Sequence, residues 1–246
     1  MTTPPPRLLP AGDSAIVVEY GEGIDARVNA GVRRLHRALA AGGHAGIIET
    51  VPTYRSLMVH YDPLVLTRQE VENLIAETRG GLPDQSREPF RLVEIPVLYG
   101  GDAGPDLADV AAAAGLDERA VVELHAGGEY VVFMLGFMPG FPYLGGLPAA
   151  IATPRLATPR TLVPAGSVGI AGAQTGIYPT ESPGGWRLVG RTPIRLFDAR
   201  QSPPALLAAG DHVRFVPVGQ AEYDAIAADV AADRYRPGIR GGSLAP

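Results

Sequence analysis

The part of the sequence that decides the fold is rich in glycine and proline, and reads GFMPGFPYLGGLP at 136–148, TPRLATPR at 153–160, VPAGSVGIAG at 163–172 and QTGIYPTESPGGW at 174–186. A packed core has no need for so many of these residues, because glycine reaches positive φ and proline fixes φ. Stiff loops that carry aromatic and arginine side chains are how a β scaffold usually presents a binding surface. Hairpin turns that only close a barrel are the alternative, and composition does not separate the two.

The composition is that of an ordinary globular protein, with 246 residues, 46% hydrophobic and 19% charged. This length allows one large domain or two small ones. The net charge of −5 argues against a nucleic-acid partner, since such proteins carry a clustered basic excess. Cysteine is absent, which excludes disulfides, a thiol nucleophile and a cysteine-based zinc site.

The N-terminal sequence MTTPPPRLLPAGD has no apolar core and no small-residue cleavage site, so it does not read as a secretory signal. The longest apolar runs, such as Tyr130 to Leu135, are far too short to cross a bilayer. We therefore expect a cytoplasmic protein that has no membrane partner.

The apolar pattern of the first eighty residues predicts strands and helices in alternation. Residues 14–20, SAIVVEY, read as a strand, and two further strands are predicted at 47–51 and 57–61. Apolar residues at helical spacing predict a helix between the first two strands; they are Ile24, Val28, Val32, Leu35 and Leu39.

A second helix is predicted after the third strand, because Thr67 and Glu70 have the spacing of a capping box. Two glycines, Gly80 and Gly81, would end it. The order β-α-β-β-α predicts most of a ferredoxin-like unit, and its last strand could come from residues 90–98.

Residues 80–89, GGLPDQSREP, form the best linker in the chain, because they are polar, rich in turn residues and without periodicity. We therefore predict a small α+β ferredoxin-like domain at 1–85 and a mainly-β barrel domain at 86–246. The second domain should start with a strand at 91–98, followed by two short helices with Pro105 at N1 of one and Asp117 as N-cap of the other.

Short strands with turn signals between them then predict a closed or nearly closed β barrel, and their ranges are 129–136, 167–172, 186–189, 193–197 and 211–217. Residues 220–233 are alanine-rich and predict a closing helix. The tail RYRPGIRGGSLAP that follows is expected to be mobile.

Several standard catalytic signatures are absent. G-x-S-x-G does not occur, nor does the P-loop pattern, and the chain contains no lysine. A Walker lysine, a Schiff base and a lysine general base are thereby excluded, so any ATP should be bound by another chain. The five histidines lack metal-ligand spacing, and we expect no metal site.

Three residues are candidates for catalysis. His125 ends the second short helix, where it could act as a general acid or base, or as a cation that favours the helix C-terminus. Arg155 and Arg160 each follow a proline, and their guanidinium groups suit a carboxylate or phosphate of a substrate or a partner. The alternative for both is a solvated loop arginine.

Other residues of the same loops are candidates for binding. Gln174, Tyr178 and Glu181 could offer hydrogen bonds to a small amide, or could satisfy their own turn. A hydrophobic docking patch for a partner is predicted on another set, with Trp186 as a core or interface anchor: Phe137, Met138, Phe141, Tyr143 and Trp186.

Longer phrases of the sequence are recognisable, namely ELHAGGEYVVFMLGFMPGFPYLGGLP at 123–148, VPAGSVGIAGAQTGIYPTESPGGWRLVGRTP at 163–193, LLAAGDHVRFVPV at 206–218 and IPVLYGGDAGPDLADVA at 95–111. Together they closely resemble the allophanate hydrolase subunit 1 family, which includes KipI-type kinase inhibitors. The resemblance covers roughly residues 14–218, and such long ordered phrases are far more specific than a short motif.

The resemblance implies a small α+β domain followed by a cyclophilin-like β barrel. It also implies membership of a 5-oxoprolinase complex, which opens 5-oxo-L-proline to L-glutamate with the use of ATP. The implied partners are an A-type chain and a C-type chain of that complex, the latter like allophanate hydrolase subunit 2, and this chain should be inactive alone. A partner should bind the ATP.

Within these motifs, Arg155 and Arg160 could hold a substrate carboxylate or phosphate, and backbone N–H groups at Gly184 and Gly185 could stabilise an oxyanion. Two rival functions remain, an inhibitor of a sensor histidine kinase and a component of an allophanate or urea-type amide hydrolase. Prolyl isomerisation is disfavoured, because a fold alone does not transmit a function.

Overall fold

The computed structural model describes residues 5–23, 25–82 and 89–243. These residues form two compact units, one that ends at Leu82 and one that begins at Pro89. The domain boundary predicted between residues 85 and 86 falls on residues outside the described ranges. Each unit has its own hydrophobic core and is described separately below.

The first unit is a four-stranded antiparallel sheet with two helices. Its elements are β1 (Arg7–Pro10), β2 (Ala15–Glu19), α1 (Ala26–Gly42), β3 (Ile47–Pro52), β4 (Ser56–Tyr61) and α2 (Arg68–Gly80). The strand order is β1-β2-β4-β3. Its core is formed by one face of the sheet, by the apolar stripe of α1, which includes Val32, Leu35 and Leu39, and by Val71 and Ile75 of α2.

Both helices of the first unit have caps that their sequence supplies. The Asp25 carboxylate accepts hydrogen bonds from the backbone N–H groups of Arg27 and Val28, which starts α1. The capping box predicted at Thr67 and Glu70 is confirmed at the start of α2. Of the predicted apolar stripe of α1, Ile24 lies outside the described residues.

The ferredoxin-like topology predicted for this unit is not confirmed. Strand β4 lies between β2 and β3, so a split β-α-β unit is present. However, the edge beside β2 is occupied by β1, and the strand predicted to complete the unit at 90–98 belongs to the second unit. An apolar strand pattern predicts a half-buried strand but not its partner, and that is why the assignment failed.

The second unit has ten strands and three α-helices among the described residues. They are β5 (Pro89–Tyr99), α3 (Leu107–Ala114), α4 (Glu118–Ala126), β6 (Tyr130–Leu135), β7 (Pro142–Gly145), β8 (Arg160–Val163), β9 (Ser167–Ala171), β10 (Gln174–Ile177), β11 (Ser182–Gly184), β12 (Arg187–Arg191), β13 (His212–Pro217), α5 (Gln220–Ala231) and β14 (Ile239–Ser243).

Seven of these strands close a barrel, in the order β12-β9-β10-β7-β6-β13-β5, with β12 paired to β5. The predicted barrel is therefore confirmed. Strand β13 runs parallel to β5 in register Phe215 to Ile95, and β14 adds to the outer edge of β5. Strands β8 and β11 form a separate two-stranded sheet. This small sheet and the loops around it carry most of the predicted site residues.

Three predictions for the second unit are corrected. Residues 193–197 do not form a strand, since only an isolated bridge joins Phe197 to Ala205. Helix α3 begins at Leu107 after Asp106, so Pro105 precedes the helix instead of occupying N1. The tail expected to be mobile contains β14, which a backbone ladder on β5 holds in place although its sequence, IRGGS, has little strand propensity.

No helix in the described ranges is both long enough and apolar enough to cross a membrane.

Candidate functional site

Strand β7 and loops beside the barrel bring a group of aromatic rings together in a cluster separate from the barrel core. The ring of Phe141 is at its centre and meets the rings of Tyr143, Tyr178 and Trp186 edge-on, at centroid distances of 4.9, 5.2 and 5.4 Å. We call the whole group, with two nearby arginines, the aromatic-arginine surface; its members are Phe137, Met138, Phe141, Tyr143, Arg155, Arg160, Tyr178 and Trp186.

Phe137 is the exposed member of the cluster. Its side chain is 63% exposed, and its backbone has φ of 67°, a left-handed conformation that costs free energy for a bulky residue. Its ring still meets those of Phe141 and Tyr178 edge-on. Met138 packs on the cluster, and its sulfur accepts a hydrogen bond from Thr180, which joins this loop to the loop after β10.

Tyr178 is buried and closely packed. A Cβ atom at Gly184 would lie 2.4 Å from the Tyr178 hydroxyl, so glycine is required there for the ring to fit. Burial raises the pKa of Tyr178, opposed by the backbone N–H of Trp186 and the charge of Arg155. The Gly185 carbonyl accepts a hydrogen bond of 2.8 Å from the backbone of Leu156, which fixes the arginine-bearing loop to the cluster.

Arg155 is the exposed cation of the surface. Burial raises the pKa of Tyr143, and the charge of Arg155 opposes this, as it does for Tyr178. Its positive charge therefore acts on both tyrosines. Within the described part of the chain it makes no hydrogen bond or ion pair. Arg155 is thus available to an anionic group that comes from outside the chain.

Arg160 differs, because its charge is already paired. Its Nη2 lies 2.6 Å from Oδ1 of Asp106, a buried carboxylate whose Oδ2 accepts a bond of 2.7 Å from the backbone N–H of Leu188. These contacts tie the start of α3 to both β8 and β12. The Nη1 atom of Arg160 is buried without a partner among the described residues. The contact of Nη2 therefore supports a structural role for Arg160, and the buried Nη1 group stays available as a donor.

The structure separates the three residues predicted to bind an amide. Gln174 starts β10 and Tyr178 follows its end, so their backbones are about 13 Å apart along the strand. Gln174 Nε2 is buried without a partner in the described residues. Glu181 is exposed and lines a cavity instead. The segment read as one binding loop is in fact a strand followed by a loop, because alternate residues of β10 pack into the barrel.

His125 lies in the last turn of α4 and is completely buried. Its Nδ1 is 2.7 Å from the hydroxyl of Tyr99, and its Nε2 is 3.0 Å from Oγ1 of Thr175. The Thr175 hydroxyl donates its proton to the Gly169 carbonyl, at 2.9 Å. Nε2 must therefore carry the proton of the neutral ring, while Nδ1 accepts from Tyr99.

Burial lowers the pKa of His125 to about 3, so the ring is neutral and does not act as a cation at the helix C-terminus. It stacks on Phe215 with a centroid distance of 4.5 Å. Because both ring nitrogens are engaged inside the barrel, neither can meet a substrate in this arrangement. The geometry gives His125 a structural role and offers no support for acid-base catalysis.

Known proteins are similar to this chain in sequence and in fold. The family model for the carboxyltransferase domain, subdomain C and D, matches residues 6–207. A protein of Bacillus subtilis (strain 168) named as the B subunit of 5-oxoprolinase is 44% identical over 228 residues, which cover 87% of this chain and 93% of that protein. A protein of Escherichia coli O157:H7 with the same name is 47% identical over 208 residues, 84% and 93% of the two chains.

The chain belongs to the 5-oxoprolinase B-subunit family. The resemblance expected from the sequence is therefore confirmed. The fold is also similar to part of the urea amidolyase of K. lactis, with a TM-score of 0.78 and 23% identity. That match covers 96% of this chain but only 16% of the longer one, and at this identity it shows the fold alone.

Two features of the site in this member of the B-subunit family are not apparent from the sequence. Asp106 stands before α3 and resembles an ordinary N-cap, yet its side chain makes no capping bond and instead reaches Arg160 and Leu188. Arg187 pairs with Asp109 at 2.6 Å, so two acidic residues at the start of α3 each hold one arginine. The sequence does show that Asp106 and Asp109 have helical spacing, which would place them on one face of a helix. It does not show that their partners are Arg160 and Arg187.

Proposed function

We propose that this chain is one component of an ATP-dependent 5-oxoprolinase complex that hydrolyses 5-oxo-L-proline to L-glutamate together with unlike subunits. The supporting observation is the match over 93% of the length of a relative named as the B subunit of 5-oxoprolinase, at 44% identity. That match extends over both compact units, so it is not confined to a shared fold core. The partners in this proposal are the A-type and C-type chains of the complex.

ATP is assigned to a partner in this proposal. The chain has no lysine and no P-loop, and a lysine is what usually reaches the terminal phosphates in such a loop. The residues present do not fit ATP in that way, so we derive no phosphoryl-transfer step on this chain. Its contribution is to bind, to orient and to exclude water, and it is inactive alone.

The aromatic-arginine surface is the proposed contact with a partner subunit. Phe137 is exposed at a strained backbone position, and such strain persists only where the surrounding structure holds it, frequently at binding sites. Phe141 and Trp186 are buried beneath it and support it, while Met138 and Tyr143 are partly exposed at its edge. This arrangement fits an aromatic anchor on a packed base, as is typical of interfaces.

Arg155 has a role in the same contact. Its charge acts on the two tyrosines of the surface, and it has no ion-pair partner among the described residues. We therefore assign it to a carboxylate of the partner, one of the two options that the sequence left open. Arg160 contributes by holding Asp106, and its remaining Nη1 donor and the backbone at Gly184 and Gly185 stay candidates for contact with an anionic group.

The test is reconstitution from purified chains. L-glutamate release from 5-oxo-L-proline is measured with and without ATP, using this chain alone, the A-type and C-type chains alone, and the complete mixture. The proposal predicts release only in the complete mixture with ATP. Full activity without this chain, or no activity in a mixture shown by gel filtration to assemble, would overturn it.

A further inference from the structure

A cavity of about 470 Å³ opens on the second unit, within the usual size range of small-molecule sites, about 300–1,000 Å³. Its walls come from the turn before β9, the loop after β10, the segment after β12 and the first turns of α5. Six of its lining residues matter for what it could bind: Glu181, Arg191, Ile194, Arg195, Phe197 and Tyr223.

Arg191 provides a cation that is fixed in place but not neutralised. Its Nε donates a hydrogen bond of 2.9 Å to the Ala165 carbonyl. Within the described ranges this is the only hydrogen bond of the guanidinium, and no carboxylate pairs with it. The anchored Nε orients the planar fork, while the terminal nitrogens stay free for the two oxygens of a carboxylate.

Glu181 provides an unpaired anion on the same cavity. It is exposed and makes no hydrogen bond or ion pair with any residue that the structure describes. Arg191 and Glu181 thus line one cavity without bridging each other. Two opposite charges arranged in this way complement a ligand that has a carboxylate at one end and an N–H donor at the other.

The neighbouring groups suit the middle of such a ligand. Ile194 and Phe197 add apolar surface, and Tyr223 on α5 adds a ring with a hydroxyl group. Arg195 also lines the cavity, but it is paired with Asp198, whose pKa is held well below its usual range chiefly by hydrogen bonds from Arg200. Arg191 is therefore the cation that is open to a ligand here.

A second cavity, of about 370 Å³, lies between residues 194–206 and the segment after α5. Two of the arginines that line it, Arg91 and Arg195, are paired with Asp211 and Asp198. The third arginine, Arg236, donates from Nη1 to the carbonyls of Asp233 and Tyr235, and the carboxylates of Asp198 and Asp233 also line this cavity. This cavity therefore offers an anionic ligand a less favourable charge balance than the cavity at Arg191.

We propose that the cavity at Arg191 binds a small α-carboxylate that carries an N–H donor, the class to which 5-oxo-L-proline and L-glutamate belong. Arg191 takes the carboxylate, Glu181 accepts from the lactam N–H or the ammonium group, and Phe197 and Ile194 contact the methylene carbons. This inference rests on the proposed function, and it gives this chain a share of the substrate site in addition to its contact with partners.

The experiment is isothermal titration calorimetry of the full-length chain with 5-oxo-L-proline, L-glutamate and 2-pyrrolidinone, which has the lactam ring without the carboxylate. We expect the first two compounds to bind and 2-pyrrolidinone to bind at least about tenfold more weakly, the loss typical of one charge-assisted contact. The variant R191Q should weaken 5-oxo-L-proline binding about tenfold or more, and R191K, which keeps the charge but not the fork, should lose less.

E181Q should weaken binding of L-glutamate more than that of 5-oxo-L-proline, because an ammonium group depends on the negative charge more than a neutral N–H does. R119Q removes an exposed arginine on α4 and is the matched control, with binding expected to equal wild type. Thermal unfolding of each variant confirms that it is folded, since Arg191 also holds the Ala165 turn.

The proposal fails if wild type does not bind 5-oxo-L-proline, or if folded R191Q and E181Q bind it as wild type does. These outcomes differ from failure of the proposed function. If the complete mixture releases glutamate and the R191Q complex has an unchanged KM, the proposed function is supported and the substrate role of this cavity is contradicted. If binding depends on Arg191 but the assembled mixture releases no glutamate, the ligand site is supported and the proposed function is contradicted.

Discussion

The interior of the barrel around His125 and the aromatic-arginine surface are both built from rings and polar groups, yet they differ in how completely those groups are satisfied. In the interior, each nitrogen of His125 has a partner and the ring is stacked on Phe215. On the surface, Phe137 is exposed in a left-handed conformation and Arg155 has no partner in the described ranges. Satisfied polar groups specify the fold, whereas unsatisfied ones are available for binding.

The comparison predicts first that the two regions differ in their effect on stability. His125→Ala removes a buried ring and leaves the Tyr99 and Thr175 hydroxyls without their partner, which should lower the free energy of unfolding by about 3–5 kcal/mol. Phe137→Ala should change it by no more than about 0.5 kcal/mol. Urea unfolding of the isolated chain measures both. Equal losses would show that the surface is a second core.

Within the surface itself, the two arginines should behave differently. Arg160→Ala leaves the buried carboxylate of Asp106 without its cation, and we expect a loss of about 1–3 kcal/mol. Arg155→Ala should stay within about 0.5 kcal/mol of wild type. The same urea titration compares them. If Arg155→Ala were the more destabilising variant, the assignment of Arg155 to an outside partner would be wrong.

Acid should lower the free energy of unfolding through the buried His125. The pKa of His125 is about 3 in the folded chain and about 6.5 when unfolded, so between these values the unfolded chain binds the extra proton. The stabilising contribution of the neutral ring is therefore complete above pH 6.5 and is lost as the pH falls, by about 2 kcal/mol at pH 5. His125→Gln, which can accept from Tyr99 and donate to Thr175, should lack this part of the pH dependence. Parallel stability curves for both proteins would contradict the assignment.

The smallest effect concerns the strained backbone at Phe137. Glycine adopts positive φ without the cost that alanine incurs, so Phe137→Gly should be more stable than Phe137→Ala by about 1 kcal/mol. Both variants lack the ring, which makes alanine the matched control for backbone strain. Thermal unfolding of the glycine and alanine variants measures this difference in stability. A glycine variant less stable than the alanine variant would mean that the loop gains more from rigidity than it loses to strain.

The elements most accessible from sequence were those with local signals. The capping box at Thr67 and Glu70 and the N-cap at Asp117 depend on contacts within four residues, and both are present in the fold. Barrel closure was also predictable from the repeated short strands with glycine and proline between them. Two predictions failed where an element depends on a distant partner: the assignment of residues 90–98 to the first unit, and the mobile tail that instead contains β14. The sequence of one strand does not specify which other strand it pairs with.

The candidate site divides in the same way. The sequence identified the aromatic phrase that becomes the surface, since exposed apolar side chains on stiff loops are a local feature. It did not distinguish Arg155 from Arg160, because the difference is a carboxylate 54 residues away, just before α3. Nor did it indicate Arg191, which becomes notable only when the fold places it with Glu181 on one cavity.

The central claim is that this chain joins a 5-oxoprolinase complex through its aromatic-arginine surface and not through its barrel interior. The most direct measurement is amide hydrogen exchange on the chain alone and on the chain mixed with its A-type and C-type partners. The account predicts slower exchange at 136–143 and 182–186 in the mixture, with no change at 122–126. Unchanged exchange in the two surface segments of an assembled, active complex would contradict it.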